Sequence, residues 1–324
     1  MSDHSSRKRL PATAMEAVEG LDLGDRLYVV TGAYSGLGAT TTRALLSAGA
    51  KVVVAGRNVD SQAAFVAGLT SPGNAKATAI DQSKIDARHT LDLGSLASVR
   101  AFADHLNGTY DRIDGLINNA GVMNTPPGVT SDGFEIQMGT NVIGHFLLAK
   151  QVVDITRRQV WLSSRGHTLY GDPPGNHDLK KAPRINLGAI ENVDLDAYDS
   201  WPRYQQSKLG DILLAKEFAA RYPKLKTCAV HPGVVRTNLS RHMSIGTMIR
   251  FILAGIMGNG APIITPDQGA RTQIWCAVMP ESELVNGGYY ADCKVEPAAD
   301  AANNMDDARQ LFDFCDRVTA DFQN

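Results

Sequence analysis

A chain of 324 residues, 44% apolar and 20% charged with a net charge of −2, can bury a full core in one large α/β domain or two smaller ones. Near-neutral charge removes the electrostatic basis for nucleic-acid binding. Cys228, Cys276, Cys293 and Cys315 lie far apart with no CxxC pair, which argues against a zinc site or disulfide framework and fits a reducing compartment.

The opening MSDHSSRKRLPATAMEAVEG is polar, mixed in charge and without the apolar core of a signal peptide. Residues 1–22 read as a flexible leader before a single domain over 23–324. RLYVVTG (26–32) predicts a buried strand, with a helix after it that ends at Gly49. KVVVAGR (51–57) is a second strand, followed by a helix over 59–69. HTLDL (89–93) and IDGLINNAG (113–121) read as further strands, separated by a helix that starts near Ser95. A long helix over about 133–153, strand QVWLSS (159–164), a helix carrying YQQSK and strand KTCAVHPG (226–233) complete the series. Regular β–α alternation predicts a doubly wound parallel sheet with helices on both faces, a single-domain Rossmann fold. Residues 170–192, rich in Pro, Gly and Asn, read as a surface loop, and 238–265 as a second interruption. No apolar run is long enough to span a bilayer; the nearest, MIRFILAGIMG, is short and contains Arg250. A soluble, cytoplasmic protein without a transmembrane segment is expected.

VVTGAYSGLGATTTRALLSAGA places Gly32, Gly36 and Gly38 between the first strand and its helix. Glycines let the backbone come close to a ligand, and the helix N-terminus offers free N–H groups to a pyrophosphate. The strand–turn–helix setting is the one a dinucleotide site demands. A tight turn with no ligand is the plain alternative. At the end of the second strand, where an NAD site places an acid for the ribose hydroxyl, stand Gly56 and Arg57. A guanidinium binds a 2′-phosphate that a carboxylate would repel, so NADP(H) is favoured over NAD(H). A solvated loop arginine is the rival reading. Tyr204 and Lys208 of YQQSK are four apart and share one helix face. An ammonium beside a phenol favours phenolate and makes a usable general acid or base.

These motifs resemble, in order and spacing, those of the short-chain dehydrogenase/reductase family. TGxxxGxG (31–38), LDL, NNAG (118–121), Asn141, SS (163–164), YxxxK (204–208) and HPGVVRT (231–237) carry the resemblance over about 25–295. LDLGSLASVRAFA, NVIGHFLLAK, YQQSKLGDILLAKEFA, TPDQGARTQ and NGGYYADCK resemble the branch of retinol dehydrogenases, the WW-domain oxidoreductase and protochlorophyllide reductases. Tyr34 departs from a position that is usually small or basic. The segment between Asn141 and Ser164 is several residues shorter than in the retinol enzymes, and the 170–192 loop is longer.

The resemblance implies that Tyr204 exchanges a proton with the substrate oxygen. Lys208 lowers the tyrosine pKa and bonds the nicotinamide ribose, Ser164 polarises the substrate oxygen, and Asn141 holds a water linking Lys208 to solvent. It puts the cofactor phosphates against Gly32, Tyr34, Ser35, Gly36, Leu37 and Gly38, and the 2′-phosphate on Arg57. Asp92 and Leu93 frame the adenine, and Asn119, Ala120 and Gly121 its ribose. Pro232, Gly233, Val235 and Thr237 take the nicotinamide side. Asn141 as a helix residue satisfying a carbonyl, and Ser163 in place of Ser164, stay open. His231 reads as a packed histidine beside Pro232; His167, Tyr170 and Tyr198 are candidates for the pocket mouth. Met243, Met248, Ile249, Ile252, Leu253 and Met257 suggest an apolar lid, a core helix or an oligomer contact. As a lid they imply a hydrophobic substrate. A homodimer through the helices after strands four and five is the family's habit. The resulting expectation is an NADP(H)-dependent alcohol/carbonyl oxidoreductase; a non-catalytic dinucleotide-binding regulator of the same fold is the alternative.

Overall fold

In the computed structural model, which describes residues 10–71, 80–170, 176–191, 193–235 and 262–323, the β-branched runs form one eight-stranded sheet. Its strands are β1 (Leu27–Thr31), β2 (Lys51–Ala55), β3 (Ile85–Asp86), β4 (Gly115–Asn118), β5 (Arg158–Leu162), β6 (Lys226–His231), β7 (Gly288–Ala291) and β8 (Lys294–Val295). They lie in the order β3-β2-β1-β4-β5-β6-β7-β8, all parallel except β8, which runs antiparallel to β7. Val29 is the centre of the register, paired with Val53 on one side and Leu116 on the other. The strand order reverses between β1 and β4, where an open α/β sheet leaves a crevice at its carboxyl edge.

Both faces of the sheet are covered, which is why its strands are apolar throughout rather than alternating. Leu27 and Val29 point into one core, with helices Leu96–Thr109, Gly144–Gln151, Ser200–Arg221 and Met305–Val318. Tyr28 and Val30 point into the other, with Gly36–Ser47, Val59–Thr70 and Pro266–Val278. The β7–β8 hairpin turns on Asp292 and Cys293, both at positive φ (49° and 59°), as a two-residue turn matched to strand twist requires.

The structure departs from the sequence reading in three places. The third strand is Ile85–Asp86, not HTLDL: Leu91 still bonds the carbonyl of Gly56, but Asp92 turns its N–H to Ser98 and its carboxylate to the N–H of Gly94. Residues 10–22 are not a loose leader. Thr13 caps helix Ala14–Val18, and Ala14, Ala17 and Val18, three and four apart on one face, are buried in the core shared with Pro266–Val278. The 170–192 region carries structure of its own, since Leu169–Tyr170 pairs antiparallel with Asn176–His177 and Gly188–Glu191 is a helical turn. The C-terminal helix Met305–Val318 packs on the helices Gly144–Gln151 and Ser200–Arg221. Phe312 of the C-terminal helix packs edge-on between Phe146 and Phe218, and Lys150 pairs with Asp316. The proposed lid, 243–257, lies outside the described residues.

Candidate active site

The loops that leave β1, β4, β5 and β6 meet at the carboxyl edge of the sheet. The Ser200–Arg221 helix, capped by the Asp199 carboxylate on the N–H of Trp201, lays Tyr204 and Lys208 beneath them. Pro202 sits in its first turn, where no helical hydrogen bond is lost. Tyr204 is buried, its ring centroid 5.9 Å from Lys208 Nζ. Ser164 follows β5, and its Oγ accepts the N–H of Gly166 at 2.9 Å. A Cβ added to Gly166 would lie 2.9 Å from Tyr204 Cε1 and 3.3 Å from Ser164 Oγ, so tyrosine and serine meet over this glycine. The two adjacent serines have different partners. Ser163 is buried and donates to the carbonyl of Lys208 (2.6 Å), which leaves Ser164 as the hydroxyl beside Tyr204.

Burial raises the Tyr204 phenol above its ordinary value; Lys208 and the hydrogen bond with Ser164 pull it down, and Asp211 pushes it up. The lowering expected from Lys208 is thus present but outweighed by desolvation. Lys208 Nζ donates to the Leu162 carbonyl at 2.7 Å and to Asp211 Oδ2 at 2.8 Å. Asp211 was not singled out in the sequence, although three residues on from Lys208 places it on the same helix face. Its carboxyl is pushed up to about 6, chiefly by burial, with Lys208 opposing.

Asn141 sits in a π turn, Gly139–Ile143, inserted into the long helix between Ile136–Met138 and Gly144–Gln151. Such turns are frequent at functional sites. Its Oδ1 accepts the Val122 N–H (2.8 Å), and its Nδ2 donates to the Val122 carbonyl and to Ser207 Oγ (both 3.0 Å). The Asn141 side chain is therefore a clamp between the loop after β4 and the Tyr204 helix. A Cβ on Gly121 would stand 3.2 Å from Asn141 Oδ1 and 3.9 Å from Lys208 Nζ, which brings the NNAG loop to the lysine. His145, also missed in the sequence, spans the Asn141 carbonyl (2.8 Å) and Thr31 Oγ1 (2.9 Å), and burial lowers its pKa to about 4, so the ring is neutral. Thr31 Oγ1 in turn accepts the N–H groups of Asn119 and Ala120.

The glycine-rich turn is built for close backbone approach. Gly32 is at φ +64°, and a Cβ on Gly38 would lie 2.2 Å from the Gly32 carbonyl oxygen and 2.7 Å from Asn119 Nδ2. The helix that follows, Gly36–Ser47, has Ser35 at its N-cap without a side-chain bond and no acid in its first turn. By contrast, Asn58, Ser95, Asp199, Thr265 and Asn304 each cap their own helices. Helix Gly36–Ser47 thus presents N–H groups that no side chain among the described residues caps, and these suit an anion. Tyr34 lays its ring over Gly56, where a Cβ would come within 2.1 Å of Cε1, and its hydroxyl accepts the Asn58 N–H at 3.1 Å. Arg57 is exposed beside it and holds no ion pair among the described residues. Leu37 and Val235 meet over Gly269, which joins the phosphate turn to the turn after β6. Gly233 there is at φ +92°, packed on Ile264; Pro232 precedes it, and Thr237 lies outside the described residues. Asp92 is spent on its own turn, while Leu93 is buried against Gly144. His231 accepts the Arg165 N–H, and His167 bonds the Ser164 carbonyl and the Ala299 N–H, so both brace the Ser164 loop. Tyr198 donates to Glu135 and, with Asn124, Thr125, Pro126, Pro127 and Ser200, lines an open hollow of about 370 Å³.

A sheet of this order, with Ser164, Tyr204 and Lys208 at its carboxyl edge and a glycine turn before an uncapped helix, defines a class of nucleotide-dependent oxidoreductase. The chain belongs to the short-chain dehydrogenase/reductase family: residues 26–161 match the short chain dehydrogenase family, and relatives match over most of the chain. Its branch is retinol dehydrogenase-like. It is 35% identical to mouse retinol dehydrogenase 14, over 89% of this chain and 84% of the relative. It is 32% identical to the chloroplastic short-chain dehydrogenase TIC 32 A of Brassica napus, over 94% and 91%. The crystal structure of an uncharacterised protein from Mycobacterium paratuberculosis superposes with a TM-score of 0.70 at 30% identity, covering 94% of this chain and 97% of that one. The family binds a nicotinamide dinucleotide, and the residues here fit one: the uncapped helix end and the bare glycine turn suit the pyrophosphate, and Lys208 the ribose. Among the described residues no helix is long and apolar enough to cross a membrane.

Proposed function

We propose that the protein is an NADP(H)-dependent oxidoreductase that interconverts a carbonyl and an alcohol on an apolar small molecule. The observation that carries this reading is the meeting of Tyr204 and Ser164 over Gly166, with Lys208 on the tyrosine's own helix face. A nicotinamide held by the glycine turn and Lys208 would supply or accept the hydride. Ser164 donates to the substrate oxygen and holds it beside the phenol. Tyr204 gives its proton to that oxygen in reduction and takes it back in oxidation, where the developing alkoxide is stabilised by the two donors. Lys208 keeps a donor for the ribose hydroxyl, and Asn141 holds the loop carrying Gly121 against this helix.

Preference for NADP(H) rests on Arg57, exposed next to Gly56 and without an ion pair among the described residues, with no acid at the end of β2. The apolar substrate rests on similarity to mouse retinol dehydrogenase 14, whose name states a hydrophobic alcohol. Four free, buried cysteines favour a reducing compartment, the cytoplasm. The test is NADPH and NADH binding by nicotinamide fluorescence, followed by turnover across apolar aldehydes, ketones and alcohols. Tyr204→Phe is expected to bind NADPH and to lose about 10²–10⁴-fold in kcat. Tight NADPH binding with no turnover of any class would overturn the catalytic reading, and a preference for NADH the cofactor assignment.

A further inference from the structure

Lys208 has three N–H donors. Among the described residues two are committed, to the Leu162 carbonyl and to Asp211 Oδ2, and the third remains for the Gly121 side, where the ribose is proposed to lie. The second commitment is unusual chemistry for a base-activating lysine. The side chains of Lys208 and Asp211 are only 7% and 3% exposed, so the pair is buried and not screened by solvent. A neutral amide at 211 could accept a hydrogen bond from the same ammonium, though a weaker one. What the carboxylate adds is a negative charge 2.8 Å from Nζ, which turns the isolated positive charge facing Tyr204 into a dipole.

We infer that Asp211 is a positioning residue that fixes the Lys208 ammonium and sets how much of its charge reaches Tyr204, so that the paired residues, rather than Lys208 alone, fix the pH at which the site works. This rests on the proposed oxidoreductase reading. The opposing pulls on the phenol agree with it: Lys208 lowers Tyr204 and Asp211 raises it. Other titratable groups reach the neighbourhood from each packed element but are otherwise engaged. His145, on the helix after the π turn, is neutral and spans Thr31 and Asn141. His167 braces Ser164 and packs edge-on against Tyr289 of β7. His231 of β6 accepts the Arg165 N–H, and Asp307 of the C-terminal helix is bonded to Arg184. Lys208 is the charged group that acts on Asp211.

The experiment pairs two readouts, one independent of turnover. The pH profile of kcat/KM for alcohol oxidation is measured for wild type, Asp211→Asn and Asp211→Glu. In parallel, phenolate absorbance is titrated as the difference between each protein and its Tyr204→Phe counterpart, which isolates Tyr204. Asp211→Asn is expected to move both the acid limb of the profile and the Tyr204 titration about one pH unit lower, since an uncompensated ammonium then faces the phenol. Asp211→Glu is expected to restore most of the wild-type position. Profiles and titrations that superimpose would overturn the inference and leave Asp211 a packing residue. Should Asp211→Asn not fold, Asp211→Ser carries the same expectation and the same refutation. If no substrate is turned over, the oxidoreductase reading fails while the absorbance titration still decides the role of Asp211.

Discussion

Gly166→Ala tests the geometry on which the proposed chemistry rests. The glycine is not at positive φ, so alanine brings no backbone strain there. Its Cβ would stand 2.9 Å from Tyr204 Cε1, where ordinary contact begins at 3.4 Å, so the phenol edge must move by about half an ångström or more. Misplacing a reacting group by about 1 Å costs on the order of 100-fold, so kcat is expected to fall roughly 10- to 100-fold. NADPH affinity should hold, because the phosphate turn lies on another loop. Overpacking costs about 1–3 kcal/mol, read as a Tm lower by a few degrees. Gly68→Ala is the control: it is exposed on a helix with nothing within 4 Å of the added Cβ, and should gain about 0.5–1 kcal/mol with unchanged kcat. Steady-state kinetics, cofactor titration and thermal melts on the three proteins suffice. A folded Gly166→Ala enzyme with wild-type kcat would show that the Tyr204–Ser164 contact does not set the rate.

Three further outcomes follow from the same structure. Arg57→Ala should weaken NADPH binding by about 10- to 100-fold, the worth of charge-assisted bonds to one phosphate, and leave NADH nearly unchanged; equal losses for both would remove Arg57 from the 2′-phosphate. His145 titrates at about 4 in the fold, below its unfolded value, so the unfolded chain binds the proton first and stability falls as pH drops through the window from about 6.5 to 4. The stability advantage of wild type over His145→Gln should therefore shrink between neutral and mildly acid pH, and an advantage independent of pH would contradict a neutral buried ring. Phe312→Ala removes a ring packed on Phe146, Phe218 and the Arg221 guanidinium, and should cost about 3–5 kcal/mol by denaturant melts. Less than about 1 kcal/mol would mean that the C-terminal helix is loosely docked.

Much of the site was legible because its parts are local. Strand, turn and helix signals fall within a few residues of one another, so Gly32, Gly36 and Gly38 could be placed between β1 and its helix, and Tyr204 and Lys208 on one helical face, before any packing was known. Other features depended on neighbours distant in the chain. Ser163 and Ser164 are chemically identical, and their partners separate them: Ser163 takes the carbonyl of Lys208, and Ser164 the Gly166 N–H and the Tyr204 phenol. Thr13 and AMEAV read as part of a polar leader until the Pro266–Val278 helix supplies the surface that buries Ala14 and Ala17. The third strand shifted to Ile85–Asp86 because ladder pairing with β2, not local apolar pattern, decides where an edge strand lies.

By itself the amino-acid order determined the alternation of strands and helices, the glycine turn, the Tyr–Lys pair and the absence of an acid after β2. All of these are set by periodicities of two and 3.6 and by residue chemistry at short spacing. Only the tertiary structure decided which hydroxyl faces Tyr204, that Asn141 clamps the loop after β4, that the C-terminal helix packs on Phe146 and Phe218, and that Asp211 shares Lys208. Each of these is an outcome of burial: once water is excluded, a polar group must take the partner the fold brings to it, and that partner is named by the packing rather than by the sequence around it.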